Sequence, residues 1–296
     1  VYGISADSIQ SHLNFKKKYK IKFQLLSDIN KKVIKKYGVW GKKIFMGKNY
    51  MGIIRTTFLI DSNRKVLKIW NNVRTHKELQ IQLDSILADL NLDFIDICLI
   101  HWPFSWLNNI DFPSTAEDVF LDLDKRIIEL WTSLIKEKNK GKIKELGVSN
   151  FSKKYIEIIS KNFKEKPLFN QLEIHPFNMQ SNLRNYCKSN GIKVIGYSPL
   201  GSGKFDLLSN PILNSISAKY GTNTASILIK WNTLKTDITI PKTNSKNRIS
   251  INFNSKNLLL DRQDVLAIDS LNCNKRVFDG SEWCSFASLS NKDFWE

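Results

Sequence analysis

Five apolar runs in the later part of the chain each end in a polar cluster, and no other feature constrains the fold as tightly. Ile95–Ile100 leads into His101-Trp102-Pro103, and Ile143–Val148 into Ser149-Asn150-Phe151. Leu168-Phe169-Asn170 leads into Gln171, then Glu173, His175 and Pro176. Lys193–Gly196 leads into Tyr197-Ser198-Pro199-Leu200-Gly201, and Ile238-Thr239-Ile240 into Pro241-Lys242-Thr243. Buried parallel strands read as near-continuous apolar runs, and a (β/α) barrel places its site at the C-terminal ends of such strands.

Helical periodicity fills the gaps between these runs. Leu79, Leu83, Ile86, Leu87 and Leu90 form an apolar stripe over 76–90, and Ile127, Ile128, Trp131, Leu134 and Ile135 form another before Gly141. Tyr155, Ile158 and Ile159 follow Ser152, a candidate N-cap. Leu183, Tyr186 and Cys187 precede Gly191, and Ala225–Leu234 reads as a further helix. Strand and helix alternating over short connections imply right-handed parallel crossovers, hence a barrel or a doubly wound sheet. No GxGxxG follows an early strand, which argues against a Rossmann-type dinucleotide fold.

Composition narrows the function classes. With 42% hydrophobic residues in 296, the chain can build a real core. No run of 18 uncharged apolar residues and no signal-peptide pattern occur, so neither a spanning helix nor a membrane partner is expected. Cys98, Cys187, Cys273 and Cys284 lack CxxC spacing, so no metal site is expected and a reducing, cytoplasmic compartment is. The net charge of +17 is concentrated in residues 1–75, where 17 Lys and Arg face three Asp. Pairs such as Lys31-Lys32, Lys35-Lys36 and Lys42-Lys43 are scattered and make no aromatic-basic platform of the kind that binds single strands, which reads as a solvated surface rather than a nucleic-acid partner.

Taken together, Leu99–Pro103, Gly147–Phe151, Asn170–Pro176, Tyr197–Gly201 and Ile240–Thr243 resemble the aldo-keto reductases, over residues 66–285. The resemblance implies a (β/α)8 barrel that binds NADPH and reduces a small-molecule carbonyl. It assigns Tyr197 to stack on the nicotinamide, and Ser149, Asn150 and Gln171 to hydrogen-bond its carboxamide. Ser198, Leu200 and Ser202 would line the pyrophosphate path. Lys242, Thr243 and Arg248 would hold the 2′-phosphate, with Asn252 near the adenine. Cations and a hydroxyl suit a phosphate monoester. His101 would orient the substrate carbonyl, Trp102 would wall the pocket, and Lys68, in Lys68-Ile69-Trp70-Asn71, matches the catalytic lysine. The family's proton-donor tyrosine and its aspartate have no match here. Ile251 stands where the family often has an acidic residue.

Residues 1–65 read differently. A strand at 1–5 precedes a helix capped by Asp7 and Ser8, then a strand at 23–26 and a short helix at 33–37. Two strands, 55–61 and 65–70, are joined by Ser62-Asn63-Arg64, a hairpin signature. Leu25–Asp28, Tyr37–Gly41 and Arg55–Asp61 resemble a peroxiredoxin of the bacterioferritin comigratory type. In that family Arg55 would stabilise a peroxidatic thiolate, but no cysteine precedes Cys98, so Arg55 reads as a relic.

The sequence therefore predicts an α/β chain in two parts. Residues 1–65 form a partial thioredoxin-like segment, and 66–296 an incomplete (β/α)8 TIM barrel lacking its first two βα units. The expected function is NADPH-dependent carbonyl reduction, impaired for want of the donor tyrosine, in a monomer. A peroxidase fragment without its cysteine, and a non-catalytic fusion or decayed gene product, are the alternatives.

Overall fold

The structure is a computed structural model that describes residues 2–18, 22, 24–37, 39–45, 48–53, 57–60, 66–70, 76–104, 119, 122–280 and 294–295. These divide into two compact units, one of residues 1–75 and 106–120, the other of 76–105 and 121–296.

In the first unit, β1 (Tyr2–Ser5) and β2 (Gln24–Ser27) pair in parallel around α1 (Ile9–Lys18). The expected cap is present, with Ser8 Oγ accepting from Ser11 N at 3.2 Å. Asp28 then starts α2 (Lys32–Lys36), its carboxylate accepting from Lys32 N and Ile34 N. Two antiparallel pairs follow: β3 (Trp40–Phe45) with β4 (Lys48–Ile53), and β5 (Thr57–Ile60) with β6 (Val66–Trp70).

The β5–β6 pair is the hairpin that Ser62-Asn63-Arg64 foretold, and it changes the strand count. Val66–Trp70 is expected from sequence as a parallel strand of the barrel, yet its ladder partner is Thr57–Ile60. A neighbouring segment closes a short loop at small entropic cost, whereas parallel pairing needs a long crossover.

In the second unit, five parallel strands lie in the order β11-β10-β9-β8-β7, each hydrogen-bonded to its sequence neighbour. They are β7 (Ile95–Ile100), β8 (Ile143–Ser149), β9 (Phe169–Glu173), β10 (Lys193–Tyr197) and β11 (Ile238–Ile240). Among the described residues this curled sheet therefore has five strands, against six expected. The helices are α3 (His76–Leu90), α4 (Leu123–Asn139), α5 (Lys153–Asn162), α6 (Ser181–Ser189), α7 (Pro211–Lys219), α8 (Thr224–Lys235), α9 (Lys246–Asn254) and α10 (Arg262–Asp269).

The predicted stripes bury in part: Ile86 and Leu90 of α3 are exposed, and the centre of each stripe is the face that packs. Leu83 and Leu87 of α3, Ile127, Trp131 and Leu134 of α4, and Tyr155 and Ile159 of α5 are all buried. Ser152 sits at the N-cap of α5 as expected, although its hydroxyl makes no capping bond. Gly147 lets β8 pack tightly, because a Cβ there would stand 2.5 Å from Leu99 Cδ2 and 2.8 Å from the Phe169 carbonyl oxygen. Among the described residues no helix is long and apolar enough to cross a membrane.

Candidate functional site

The strand ends carry a connected set of polar groups, three side chains and two backbone carbonyls. His101 immediately follows β7, and its carbonyl accepts from Asn150 Nδ2 at 3.1 Å. Asn150 follows β8 in the left-handed region, with φ of 60°, a conformation that asparagine tolerates better than most residues. That turn aims its carboxamide across the sheet: Oδ1 accepts from Tyr197 Oη, at the end of β10, at 2.9 Å. Ser149 Oγ donates to the Gln171 carbonyl on β9 at 3.0 Å and lies 3.2 Å from Asn150 Nδ2. Thus His101, Ser149, Asn150, Gln171 and Tyr197, assigned from sequence, are brought together across four neighbouring strands.

Burial, reinforced by the charge of Glu173 and offset by Arg276, holds the Tyr197 phenol well above its ordinary range. The phenol is therefore a neutral hydrogen-bond donor at physiological pH, as its bond to Asn150 requires.

After β10 the chain turns sharply. Ser198 and Ser202 both have positive φ, and their hydroxyls meet at 2.7 Å. Leu200 lies half-buried between them. Gly201 suits this turn, since its φ is +63° and a Cβ would press on Leu207 Cδ1 at 2.9 Å. The three residues expected to line a pyrophosphate path thus share one compact loop.

Beyond β11 an open depression of about 450 Å³ is lined by Lys242, Thr243, Asn244, Ser245 and Arg248. Ser245 is the N-cap residue of α9, and its backbone N–H points to Thr243 Oγ1 at 3.2 Å. Two cations, two hydroxyls and a helix N-terminus form a donor set suited to a phosphate. Asn252 stands one turn beyond Arg248 on α9, on the same face. Asn244 and Ser245 carry no assignment from the sequence motifs. The signal available was a serine just ahead of a helical stretch, which marks an N-terminus.

Trp102 is buried, with ring centroids 6.4 Å from Phe294 and 6.1 Å from Trp295. Phe294 is fully buried and also packs on Phe104 at 4.8 Å and Tyr155 at 5.5 Å. The residue expected to wall a pocket is thus faced by the C-terminal aromatics.

Glu173 and Arg276 have no role in the sequence motifs. Glu173, 1% exposed at the end of β9, accepts from Val277 N at 2.6 Å and Phe278 N at 2.9 Å, with His175 Nε2 at 2.9 Å. Arg276 donates to Gln180 Oε1 at 2.9 Å and lies 3.8 Å over the Trp295 ring. Burial pushes its guanidinium down to about 10, against the opposing pull of Glu173, Tyr197 and Asp279.

Lys68 stands on β6 in the first unit, opposite Leu59. Arg55 lies outside the described residues. Among the described residues no cluster of metal-ligating side chains occurs.

Comparison with known proteins gives a family match over residues 32–273, to the model described as the aldo/keto reductase family. The match thus starts within the segment read from sequence as peroxiredoxin-like. Aldose reductase B of Dictyostelium discoideum is 36% identical over 226 residues, covering 74% of this chain and 72% of that protein. An aldo-keto reductase from a Medee basin deep-sea metagenome library superposes with a TM-score of 0.60 at 31% identity, covering 71% of each chain. A further aldo-keto reductase, solved in complex with NADPH, has a TM-score of 0.64 at 26% identity, covering 76% of this chain and 68% of its own.

Proposed function

The chain belongs to the aldo/keto reductase family of oxidoreductases, and from that premise we propose that it binds NADPH along the ends of β8 to β11 and reduces a small aldehyde or ketone. The observation that carries this reading is the link from Tyr197 through Asn150 to the His101 carbonyl, which joins a ring platform to the carbonyl-orienting position. When bound, the cofactor supplies a hydride to the carbonyl carbon.

The chain's own residues do the rest. Tyr197 offers a flat face, and Ser149, Asn150 and Gln171 keep the carboxamide assignment of the family resemblance, with the Asn150 amide already engaged by Tyr197 and the His101 carbonyl. Lys242, Thr243 and Arg248 offer charge-assisted bonds to a phosphate monoester, and the start of α9 adds backbone N–H groups. That donor set fits NADPH better than NADH, because only the former carries the extra dianion. His101 orients the substrate oxygen.

A protonated donor beside the carbonyl oxygen contributes about 10²–10⁴-fold in such reactions. No tyrosine in this sequence matches the family's donor, so turnover is expected to be slow even where cofactor binding is retained. The experiment is a fluorescence titration with NADPH followed by reduction of a simple aldehyde. Saturable binding with slow turnover that His101→Ala abolishes supports the reading. Absence of binding at about 1 mM cofactor, an affinity weaker than roughly 4 kcal/mol, refutes it. Fast turnover would refute the impairment alone.

A further inference from the structure

A strap near the C-terminus is tied along the loop that follows β9. Met179 N donates to Asn272 Oδ1 at 3.0 Å, and Lys275 N donates to the Phe177 carbonyl at 2.8 Å. Arg276 reaches Gln180, whose own amide donates to the Glu173 carbonyl at 2.8 Å. The strap ends at Val277 and Phe278, whose successive N–H groups converge on the two oxygens of the Glu173 carboxylate.

A buried carboxylate needs such donors, because its desolvation is otherwise uncompensated. What the donors accomplish is visible in the next side chain. The Phe278 ring lies 6.1 Å from the Tyr197 ring, with the planes tilted by 53°. Phe278 is nevertheless 39% exposed, so its own burial does not hold it there. Its backbone is held instead, by Glu173.

We propose that Glu173 is a positioning residue for the cofactor platform: it fastens Val277–Phe278 to the end of β9 and so keeps the Phe278 ring against Tyr197. This rests on the reading that Tyr197 carries the nicotinamide. The pair then forms one aromatic corner, and releasing the strap leaves the bound cofactor free to leave faster.

The test uses Glu173→Gln, Phe278→Ala and the double variant in the full chain. Glu173→Gln keeps the shape but removes the charge and one acceptor. Amide hydrogen exchange at 277–278 should accelerate in Glu173→Gln while α5 and α8 stay protected. Each single variant should weaken NADPH about tenfold, and the double variant no further, since both act through one contact. Unchanged exchange at 277–278 overturns the proposal. So does faster exchange with unchanged NADPH affinity, which would make Glu173 purely structural. Should Glu173→Gln not fold, Phe278→Ala decides: wild-type NADPH affinity in that variant overturns the proposal. A wild-type protein that binds no NADPH defeats the functional reading as well, whereas a binding wild type with unaltered variants defeats this inference alone.

Discussion

The Tyr197 phenol donates to Asn150 Oδ1 at 2.9 Å, spanning from the end of β10 to the end of β8. Strand β9 lies between them, so the bond exists only because the left-handed turn at Asn150 throws its carboxamide sideways over the sheet. Asn150 is 2% exposed, and its other amide atom serves the His101 carbonyl. One side chain thus fixes the relative placement of three strand ends.

Asn150→Ala should accordingly destabilise the protein by about 2–4 kcal/mol, from orphaned partners plus a strained φ. Asn150→Gly loses the same partners without the strain, so it should be milder by about 1–2 kcal/mol. Urea unfolding of the two variants checks this. Equal losses would remove the conformational part of the argument.

At the depression beyond β11, Lys242→Ala and Arg248→Ala should each weaken NADPH by about tenfold or more, the range for a charge-assisted bond. NADH, lacking the phosphate, should bind both variants as it binds the parent. Raising the salt should narrow the difference between the two cofactors, because the depression is open to solvent. Titrations at low and high salt measure both effects. Parallel losses for NADH would move the phosphate site elsewhere.

Gly147→Ala should cost about 1–3 kcal/mol as an overpacked strand, since the clash at 2.8 Å is with the Phe169 backbone and cannot relax by a rotamer change. Gly191 also has positive φ, +70°, but nothing lies within 4 Å of a Cβ there. Gly191→Ala should therefore cost only the left-handed penalty of about 1–2 kcal/mol. A Gly147→Ala protein as stable as the parent would show that β7, β8 and β9 are less tightly packed than the distances state.

Cys187 provides a pH test. Burial, opposed by the Asn170 side chain, pushes its thiol up to about 11. In the unfolded chain it ionises at about 8.5. The folded pKa is the higher, so the neutral thiol's contribution is fully present below the unfolded value and fades as pH rises through the folded one. Stability should fall between about pH 9 and 11, and Cys187→Ala should flatten that slope. Alkylation mapped by mass spectrometry at about pH 8 should label exposed Cys273 well before Cys187.

Much of this site is legible in the order of residues along the chain. The row of apolar runs ending in polar clusters marks five parallel strands, and the stripes at Leu83, Trp131 and Ile159 mark the buried helix faces. These signals are local: a strand or a helix declares itself within a dozen residues. The hairpin between β5 and β6 is local too, yet the same residues also suit a barrel strand. Sequence does not rank the two because the ranking depends on which ladder partner is nearest in space.

What the sequence by itself determined is the list of chemically competent groups and the strand ends that bear them. Their mutual geometry was decided only by the tertiary structure. Tyr197 and Asn150 are 47 residues apart, and Glu173 and Phe278 are 105. No pattern announces bonds of that span, since each depends on strand order, register and one turn's handedness acting together. Glu173 shows the difference: in the sequence it is one acidic residue in a motif, and in the fold it is buried where two backbone N–H groups converge on its charge.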